Sequence, residues 1–237
     1  MPLSQRSRPI RAVLFDMDGT LVDSNDFHIE AWERVFAEAG HDIAREDIHG
    51  QIGKGGDQLV PALLPDIDQK AVDALCDRHG TLFQRDYIDR VKAFPHARDV
   101  AVRVHDDGMQ VVLATSASGD DRDHYVELLD LKPIMATSTT SDDVDRTKPA
   151  PDIFAAALAK LSDVQAQEAV VIGDTPYDMR AARDCGIARI AVRSGGFSDE
   201  ALREAGADAI YDDLAALLRD YDASMLAAGR GDDEAVP

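Results

Sequence analysis

Polar side chains able to do chemistry stand directly after apolar runs of this sequence or at the starts of helical patterns. They comprise two carboxylates after the first run, a hydroxyl pair after a later run, a lysine, and two carboxylates after a third run. The residues are Asp16, Asp18, Thr115, Ser116, Lys148, Asp174 and Asp178. Together they offer a nucleophile, an acid or base, donors for phosphoryl oxygens and ligands for a hard cation. A magnesium-dependent phosphoryl-transfer site needs this set of groups.

The apolar runs that precede these residues are typical of strands buried on both faces of a parallel sheet. They lie at residues 10–15, 111–114, 169–172, 188–192 and, more weakly, 208–211. Amphipathic helical patterns separate the later runs, which predicts an α/β fold with a doubly wound parallel sheet, that is, a Rossmann-like core. Ligands of such sheets bind beyond the carboxyl ends of the strands, so we expect the candidate residues to meet at one edge.

The alternation of strand and helix stops after the first strand. Residues 24–91 show apolar residues at helical spacing alone, which predicts a helical domain inserted into a core made of residues 1–23 and 92–226. The Gly53-Lys54-Gly55-Gly56 stretch inside it is expected to be a flexible loop that contacts ligand. Residues 227–237 are small and charged, and we expect them to form a disordered tail.

The charge balance disfavours several classes of partner. The 237 residues include 45 Asp and Glu against 25 Lys and Arg, a formal net charge of −20, which repels nucleic-acid phosphates and anionic membrane surfaces. No stretch reaches the roughly 20 apolar residues of a membrane span, and the basic start lacks the apolar run of a signal peptide. We therefore expect a cytoplasmic protein that binds a small molecule. The oligomeric state stays open, and a monomer is compatible with the sequence.

Many of the aspartates occur in adjacent pairs. Because unpaired carboxylates are seldom fully buried, the pairs are expected on solvated surface. They are Asp106-Asp107, Asp120-Asp121, Asp142-Asp143, Asp212-Asp213 and Asp232-Asp233. A single aspartate therefore carries little information in this chain.

The motifs taken together resemble those of the haloacid dehalogenase-like phosphohydrolase superfamily. They occur in the family's order as Asp16-Met17-Asp18-Gly19-Thr20, Thr115-Ser116, Lys148-Pro149, and Gly173-Asp174 continuing to Asp178. The helical insertion stands where one class of cap domain lies in that superfamily. The resemblance covers nearly the whole chain. It implies an α/β core with a helical cap, a Mg²⁺ cofactor, and hydrolysis of a small phosphorylated metabolite through an aspartyl-phosphate.

The resemblance also implies a role for each matching position. Asp16 would be the nucleophile, Asp18 the acid and base with a pKa tuned toward neutrality, and Lys148 the group that neutralises the phosphoryl oxygens. Substrate contacts would come from Thr20, His28, Lys54, Thr115 and Ser116. The metal ligands would be Asp16, the main-chain oxygen of Asp18, and Asp174, with Asp178 behind them.

The second carboxylate of the first motif bears on the substrate. In the superfamily, hydrolases of carbon–halogen bonds lack a carboxylate at the position of Asp18, which favours phosphate esters here. Asp23-Ser24, His28 and Trp32 resemble the linker and first cap helix of the subclass of β-phosphoglucomutase and phosphoglycolate phosphatase-type proteins. The main hypothesis is therefore a phosphatase acting on a sugar phosphate or a phosphoglycolate-like ester.

Two other functions stay open. A sugar-phosphate mutase would be expected to hold a second phosphate with an arginine in the cap loop. This loop has no arginine, although Lys54 could partly replace it. An inactive binding or regulatory module of the same fold is the other alternative. It is disfavoured because Asp16, Asp18, Lys148 and Asp174 are all present.

Overall fold

A six-stranded parallel sheet forms the centre of the computed structural model, which describes residues 9–227. The strands of the described region are β1 (Ala12–Phe15), β2 (Val22–Asp23), β3 (Lys92–Ala93), β4 (Gln110–Ala114), β5 (Met135–Thr139), β6 (Ala169–Gly173), β7 (Ala188–Val192) and β8 (Ala209–Tyr211). The central sheet has the order β5-β4-β1-β6-β7-β8, and every neighbouring pair is parallel. The predicted α/β fold and its five apolar strands are confirmed.

Helices cover both faces of this sheet. Their bounds are α1 (Asn25–Glu38), α2 (Arg45–His49), α3 (Gly56–Leu63), α4 (Gln69–Asp86), α5 (Ala97–Asp106), α6 (Gly119–Leu128), α7 (Asp152–Ala159), α8 (Pro176–Asp184), α9 (Asp199–Ala205) and α10 (Leu214–Arg219). Alternate residues of β1 point to opposite faces. Val13 and Phe15 pack in the cluster that contains α5 and α10, whereas Ala12 and Leu14 pack with α7 and α8. The full burial of β1 explains why its sequence is apolar throughout.

The strand β5 was not predicted, because its sequence, MATST, is neither apolar throughout nor cleanly alternating. Within residues 9–227 it lies at an edge of the sheet and pairs with β4 alone. An edge strand has one covered neighbour and a partly exposed surface, so serine and threonine are tolerated there. Its Thr139 is nevertheless fully buried, and the Thr139 carbonyl accepts a hydrogen bond of 3.0 Å from the backbone N–H of Thr115.

The helices α1 to α4 lie between the two strands of a small antiparallel ribbon. In this ribbon Val22 of β2 pairs with Ala93 of β3, so the chain leaves the core and returns to it at one place. Within the insertion, α4 packs against both α1 and α3 around a buried apolar core. The boundaries predicted for a separate domain stay a prediction. Of the predicted tail, residues 228–237 lie outside the described residues.

The described helices were also compared with the requirements of a membrane span. Within residues 9–227, none combines the length and the apolar character that a crossing requires.

Candidate active site

The central strands bring the sequence-predicted residues together. Asp16 follows β1, Thr115 follows β4 and Asp174 follows β6. Because β4, β1 and β6 are adjacent and parallel, these three residues stand side by side at the carboxyl edge of the sheet. The backbone N–H of Asp16 donates to the carbonyl oxygen of Ile172 at 2.9 Å, which extends the ladder to the first residue of the site.

A buried ammonium group lies among the carboxylates. Lys148 is 1 % exposed and forms ion pairs with Asp16 and, at 2.7 Å, with Asp178. Carboxylate oxygens of Asp16, Asp174 and Asp178 all lie within 4.8 Å of one another. Three buried acids therefore share one buried base, and the cluster as a whole carries excess negative charge.

This excess charge changes the proton affinities of the group. Burial, together with the charges of Asp178 and Asp174, raises the pKa of Asp16 well above its ordinary value, even though Lys148 opposes the shift. Burial and the Asp178 charge raise the pKa of Asp174 to about 7. Burial alone would lower the pKa of Lys148, but the carboxylates beside it raise that pKa. The site is therefore poised to take up a further positive charge.

Asp174 is held in place by two donors from the first motif and from α1. The hydroxyl of Thr20 donates to Asp174 Oδ1 at 3.0 Å, and the side-chain amide of Asn25 donates to Asp174 Oδ2 at 2.9 Å. Thr20 is completely buried and its hydroxyl orients this carboxylate, so its position differs from the expected substrate contact. Asn25 was not singled out by the sequence.

Asp178 belongs to the cap of helix α8. The hydroxyl and the backbone N–H of Thr175 donate to Asp178 Oδ2 at 2.6 and 3.1 Å, and the backbone N–H of Asp178 donates back to the Thr175 hydroxyl. Pro176 occupies the first turn, as is common in helices. Because one carboxylate oxygen is fixed by the cap, the other is aimed at Lys148.

Asp18 turns away from the acidic cluster toward the helical insertion. Its Oδ1 accepts hydrogen bonds from the Ser24 hydroxyl at 2.6 Å and from His28 Nε2 at 3.1 Å. Burial tends to raise the pKa of Asp18, but the charge and hydrogen bond of His28 and the hydrogen bond of Ser24 outweigh burial and lower that pKa. The expected shift toward neutrality is thus not present in this arrangement, because the donors stabilise the ionised carboxylate.

Aromatic rings from α1 and α4 stack above Asp18. His28 stacks on Phe83 with ring centroids 3.8 Å apart, and its Nδ1 lies 3.5 Å from His79 Nε2. His79 in turn stacks on Trp32 at 4.1 Å. Burial lowers the pKa of His79 well below its ordinary value, so this ring is neutral near pH 7.

A cavity of about 200 Å³ lies between the sheet edge and the inserted helices. Asp16, Asp18, Thr115 and Ser116 line it from the core, and Lys54 lines it from the insertion. The Ser116 hydroxyl is buried and has no hydrogen-bond partner among the described residues. The Thr115 hydroxyl accepts from the backbone N–H of Ala117 at 3.0 Å. Both hydroxyls are therefore placed where an oxygen-rich ligand could contact them.

The glycine-rich loop of the insertion rests on the core beside this cavity. The backbone N–H of Gly55 donates to the Thr147 hydroxyl at 2.9 Å, while the backbone N–H and hydroxyl of Thr147 donate to the carboxylate of Asp57. A Cβ at Gly55 would come within 2.4 Å of the Thr147 hydroxyl, so the approach requires glycine. Lys54 donates to Gln51 at 2.5 Å and lies 4.7 Å from the ring centre of Tyr177.

One of the paired aspartates was wrongly expected on the surface. Asp121 is 7 % exposed and lines the cavity, whereas its neighbour Asp120 is exposed. Its Oδ1 accepts from Gln84, and its Oδ2 accepts from the Ser118 hydroxyl at 2.8 Å. Burial raises the pKa of Asp121. The one sequence signal for Asp121 is Ser118 three residues earlier, which caps α6. Asp232 and Asp233 lie outside the described residues.

Comparisons with known proteins agree with this arrangement. A family model described as "Haloacid dehalogenase-like hydrolase" matches residues 13–192. The chain is similar to "Phosphoglycolate phosphatase, plasmid" of Cupriavidus necator, with 31 % identity over 222 residues that cover 89 % of this chain and 93 % of the relative. It is also 32 % identical over 212 residues to "Protein SUPPRESSOR OF QUENCHING 1, chloroplastic" of Arabidopsis thaliana. That match covers 86 % of this chain and only 20 % of the much longer relative.

Solved structures share the fold. A hydrolase from Pseudomonas syringae superimposes with a TM-score of 0.83 and 30 % sequence identity. The superposition covers 90 % of this chain and 98 % of the other.

Proposed function

The chain belongs to the haloacid dehalogenase-like hydrolases and is an enzyme of their phosphatase class, and from this premise we propose that it hydrolyses small phosphomonoesters with Mg²⁺ through an aspartyl-phosphate on Asp16. The observation that carries the proposal is the contact of Asp16 with buried Lys148 at the floor of a cavity. An ionised carboxylate at the end of a buried strand can attack phosphorus; the adjacent ammonium orients Asp16 and opposes the rise in its pKa.

In the first step, an oxygen of Asp16 attacks the phosphorus and the bond from phosphorus to the ester oxygen breaks. Thr115, Ser116 and Lys148 would bind the phosphoryl oxygens, since these groups supply donors on the cavity wall and a positive charge beneath it. The Ser116 hydroxyl has no protein partner in the described region, which suits a ligand contact.

Asp18 would handle the protons of both steps. In its protonated form Asp18 would give its proton to the departing ester oxygen. As the resulting carboxylate, the form that Ser24 and His28 stabilise, it would then remove a proton from the water that attacks the aspartyl-phosphate and releases inorganic phosphate. His28, 3.1 Å from Asp18 Oδ1, is the adjacent group that can share this proton. Ser24 fixes the carboxylate at 2.6 Å, so it faces the cavity in one orientation.

The carboxylate cluster fits a hard divalent cation. Asp16, Asp174 and the main-chain oxygen of Asp18 would hold Mg²⁺, with Asp178 within reach, because oxygen ligands are those that Mg²⁺ prefers. The raised pKa values of Asp16 and Asp174 indicate an excess of negative charge that such a cation would relieve. When bound, the cation would offset the negative charge of the phosphoryl group.

Residues 24–91 would act as a cap over this site. The loop at Gly55 contacts Thr147, and His49 Nε2 lies 3.0 Å from the carbonyl oxygen of Gly195, so the insertion touches the core at two places. Opening these contacts would admit substrate, and closing them would exclude bulk water.

Phosphate release from a panel of sugar phosphates, phosphoglycolate and p-nitrophenyl phosphate tests the proposal. We expect release with Mg²⁺ and none with excess chelator. The variant Asp16→Asn should lose turnover, whereas Asp23→Asn, which alters an exposed aspartate of β2, should keep it. Release that persists in Asp16→Asn would refute the role of Asp16. Conversion of β-glucose 1-phosphate to its isomer without phosphate release would indicate a mutase instead.

A further inference from the structure

Asn25 is the first residue of α1 and joins the helical insertion to the acidic side chains of the core. Its side-chain amide donates to Asp174 Oδ2 at 2.9 Å, although the two residues are 149 positions apart. The other oxygen of Asp174 accepts from the hydroxyl of Thr20, which precedes the insertion. Gly19 packs so closely on this contact that a Cβ there would collide with both Asn25 and Asp174. The carboxylate of Asp174 is therefore held by the insertion on one side and by the core on the other.

Among the described residues, nothing donates to the amide oxygen of Asn25. Because an ionised carboxylate can only accept, the amide nitrogen faces Asp174 and the oxygen, Oδ1, points elsewhere. This oxygen is buried without a partner, and Asn25 is one of the residues that line the cavity. A buried acceptor without a donor is costly. Oδ1 is thus available to a donor that enters with a ligand, and Mg²⁺ usually retains several water molecules that can donate.

The helix that begins at Asn25 also carries two rings that line the cavity. His28 and Trp32 follow about one and two turns further along α1. Trp32 is 4 % exposed and stacks on His79 of α4 with ring centroids 4.1 Å apart. Because a helix transmits displacement as a rigid element, a change at its first residue reaches Trp32.

We propose that Asn25 is a positioning residue for the metal ligand Asp174, and that through this contact the binding of Mg²⁺ shifts helix α1. The inference rests on the proposed function, to which Mg²⁺ and the role of Asp174 belong. Mg²⁺ demands a nearly ideal octahedral arrangement, so the orientation of each carboxylate ligand matters. Removing a residue that orients a metal ligand typically lowers metal affinity by roughly 10- to 100-fold. The insertion would then respond to the cation before any substrate is bound.

Mg²⁺ titrations of the full-length protein without substrate test both parts of the inference. Calorimetry at constant ionic strength measures the affinity for Mg²⁺. Fluorescence reports on α1, because Trp32 is the only tryptophan of the 237 residues. We expect the wild type to change its fluorescence as it binds Mg²⁺. Asn25→Ala should bind Mg²⁺ at least about tenfold more weakly and show no fluorescence change at saturation.

Two variants separate this contact from a general weakening of the site. Thr20→Val removes the other donor to Asp174 with little change of shape. It should weaken Mg²⁺ binding but keep the fluorescence change at saturation, because the contact of Asn25 with Asp174 remains. Glu30→Ala truncates an exposed side chain of α1 and should alter neither reading. Thermal unfolding in chelator confirms that each variant is folded.

The outcomes separate this inference from the proposed function. Wild-type affinity in Asn25→Ala would overturn the positioning role. A fluorescence change that persists in saturated Asn25→Ala, or that is absent from the wild type, would overturn the coupling to α1. Either result leaves the phosphatase proposal standing if p-nitrophenyl phosphate is hydrolysed with Mg²⁺. No release from any ester, together with the expected binding results, would refute the phosphatase proposal and support the inference as a property of the metal site.

Discussion

Replacing Asp16, the proposed nucleophile, should make the protein more stable in the absence of metal. Asp16 is buried beside Asp174 and Asp178, and its pKa is raised because burial and these two charges disfavour its ionised form. A buried acid with a raised pKa weakens the folded state once the pH exceeds the pKa of the unfolded chain. Asp16→Asn removes this charge while keeping the shape of the side chain, so we expect a higher free energy of unfolding.

The magnitude follows from the distances and from burial. Two unit charges 4.8 Å apart repel by about 3.5 kcal/mol at an effective dielectric constant of about 20. The two repulsions at Asp16 therefore amount to roughly 7 kcal/mol, and the attraction of Lys148, which is in direct contact, offsets about the same amount. The charge–charge energies nearly cancel, so the gain comes from removing a buried ionised group, and we expect it to be about 2 kcal/mol. For a chain of this size it corresponds to a rise of roughly 4–8 °C in the melting temperature.

Thermal unfolding in chelator at pH 8 and pH 5 measures this effect. The gain should be large at pH 8 and small at pH 5, where wild-type Asp16 retains more of its proton and resembles asparagine. Asp23→Asn, an exposed aspartate, should shift the free energy of unfolding by less than about 0.5 kcal/mol. A lower melting temperature for Asp16→Asn at pH 8, or an equal gain at both pH values, would refute the reasoning. Mass spectrometry excludes deamidation back to aspartate.

Three further results are expected. Because the pKa of Asp174 is raised to about 7, the metal-free protein should lose stability as the pH rises from about 4 to 7. Mg²⁺ should therefore raise the melting temperature more at pH 8 than at pH 5. An equal rise at both pH values would contradict this. Ser24→Ala removes a hydrogen-bond donor to Asp18. The limb of the pH–rate profile that depends on Asp18 should therefore move to higher pH by about one unit. A limb that does not move would belong to another group. Thr147→Val removes the hydroxyl contact with Asp57. In steady-state assays it should lower kcat/KM about tenfold, mainly through kcat. An unchanged kcat would show that the loop contact does not matter for turnover.

The sequence predicts those site residues that directly follow a strand. Asp16 and Asp174 follow runs that are apolar on both faces, and such runs have one consistent interpretation as neighbouring parallel strands. Their meeting at one sheet edge then needs no knowledge of the rest of the chain. Lys148 does not directly follow a strand; the sequence places it at the start of a helical pattern, and its role in the site was inferred from the resemblance.

The part that the sequence misses depends on contacts between distant segments. Asp121 stands in an acidic stretch, and only Ser118 three residues earlier, which caps α6, distinguishes it locally from exposed Asp120. It is buried because Gln84, 37 residues earlier, is brought against it by the packing of the insertion on the core. Thr20 shows the same limit, since its hydroxyl orients Asp174, which is 154 residues away in the chain. Strand β5 was missed for a different reason, namely its polar edge sequence.

The contact between the loop at Gly55 and Thr147 has a consequence for the way poor substrates would be rejected. Thr147 is followed directly by Lys148, so the short segment that receives the loop at Gly55 also carries the ammonium group that holds Asp16. A leaving group too large for closure would keep the loop away and leave this segment less constrained. Such a compound could still bind, but its attack step would be slow. The enzyme would then discriminate between substrates after binding, because bound compounds that prevent closure would react slowly.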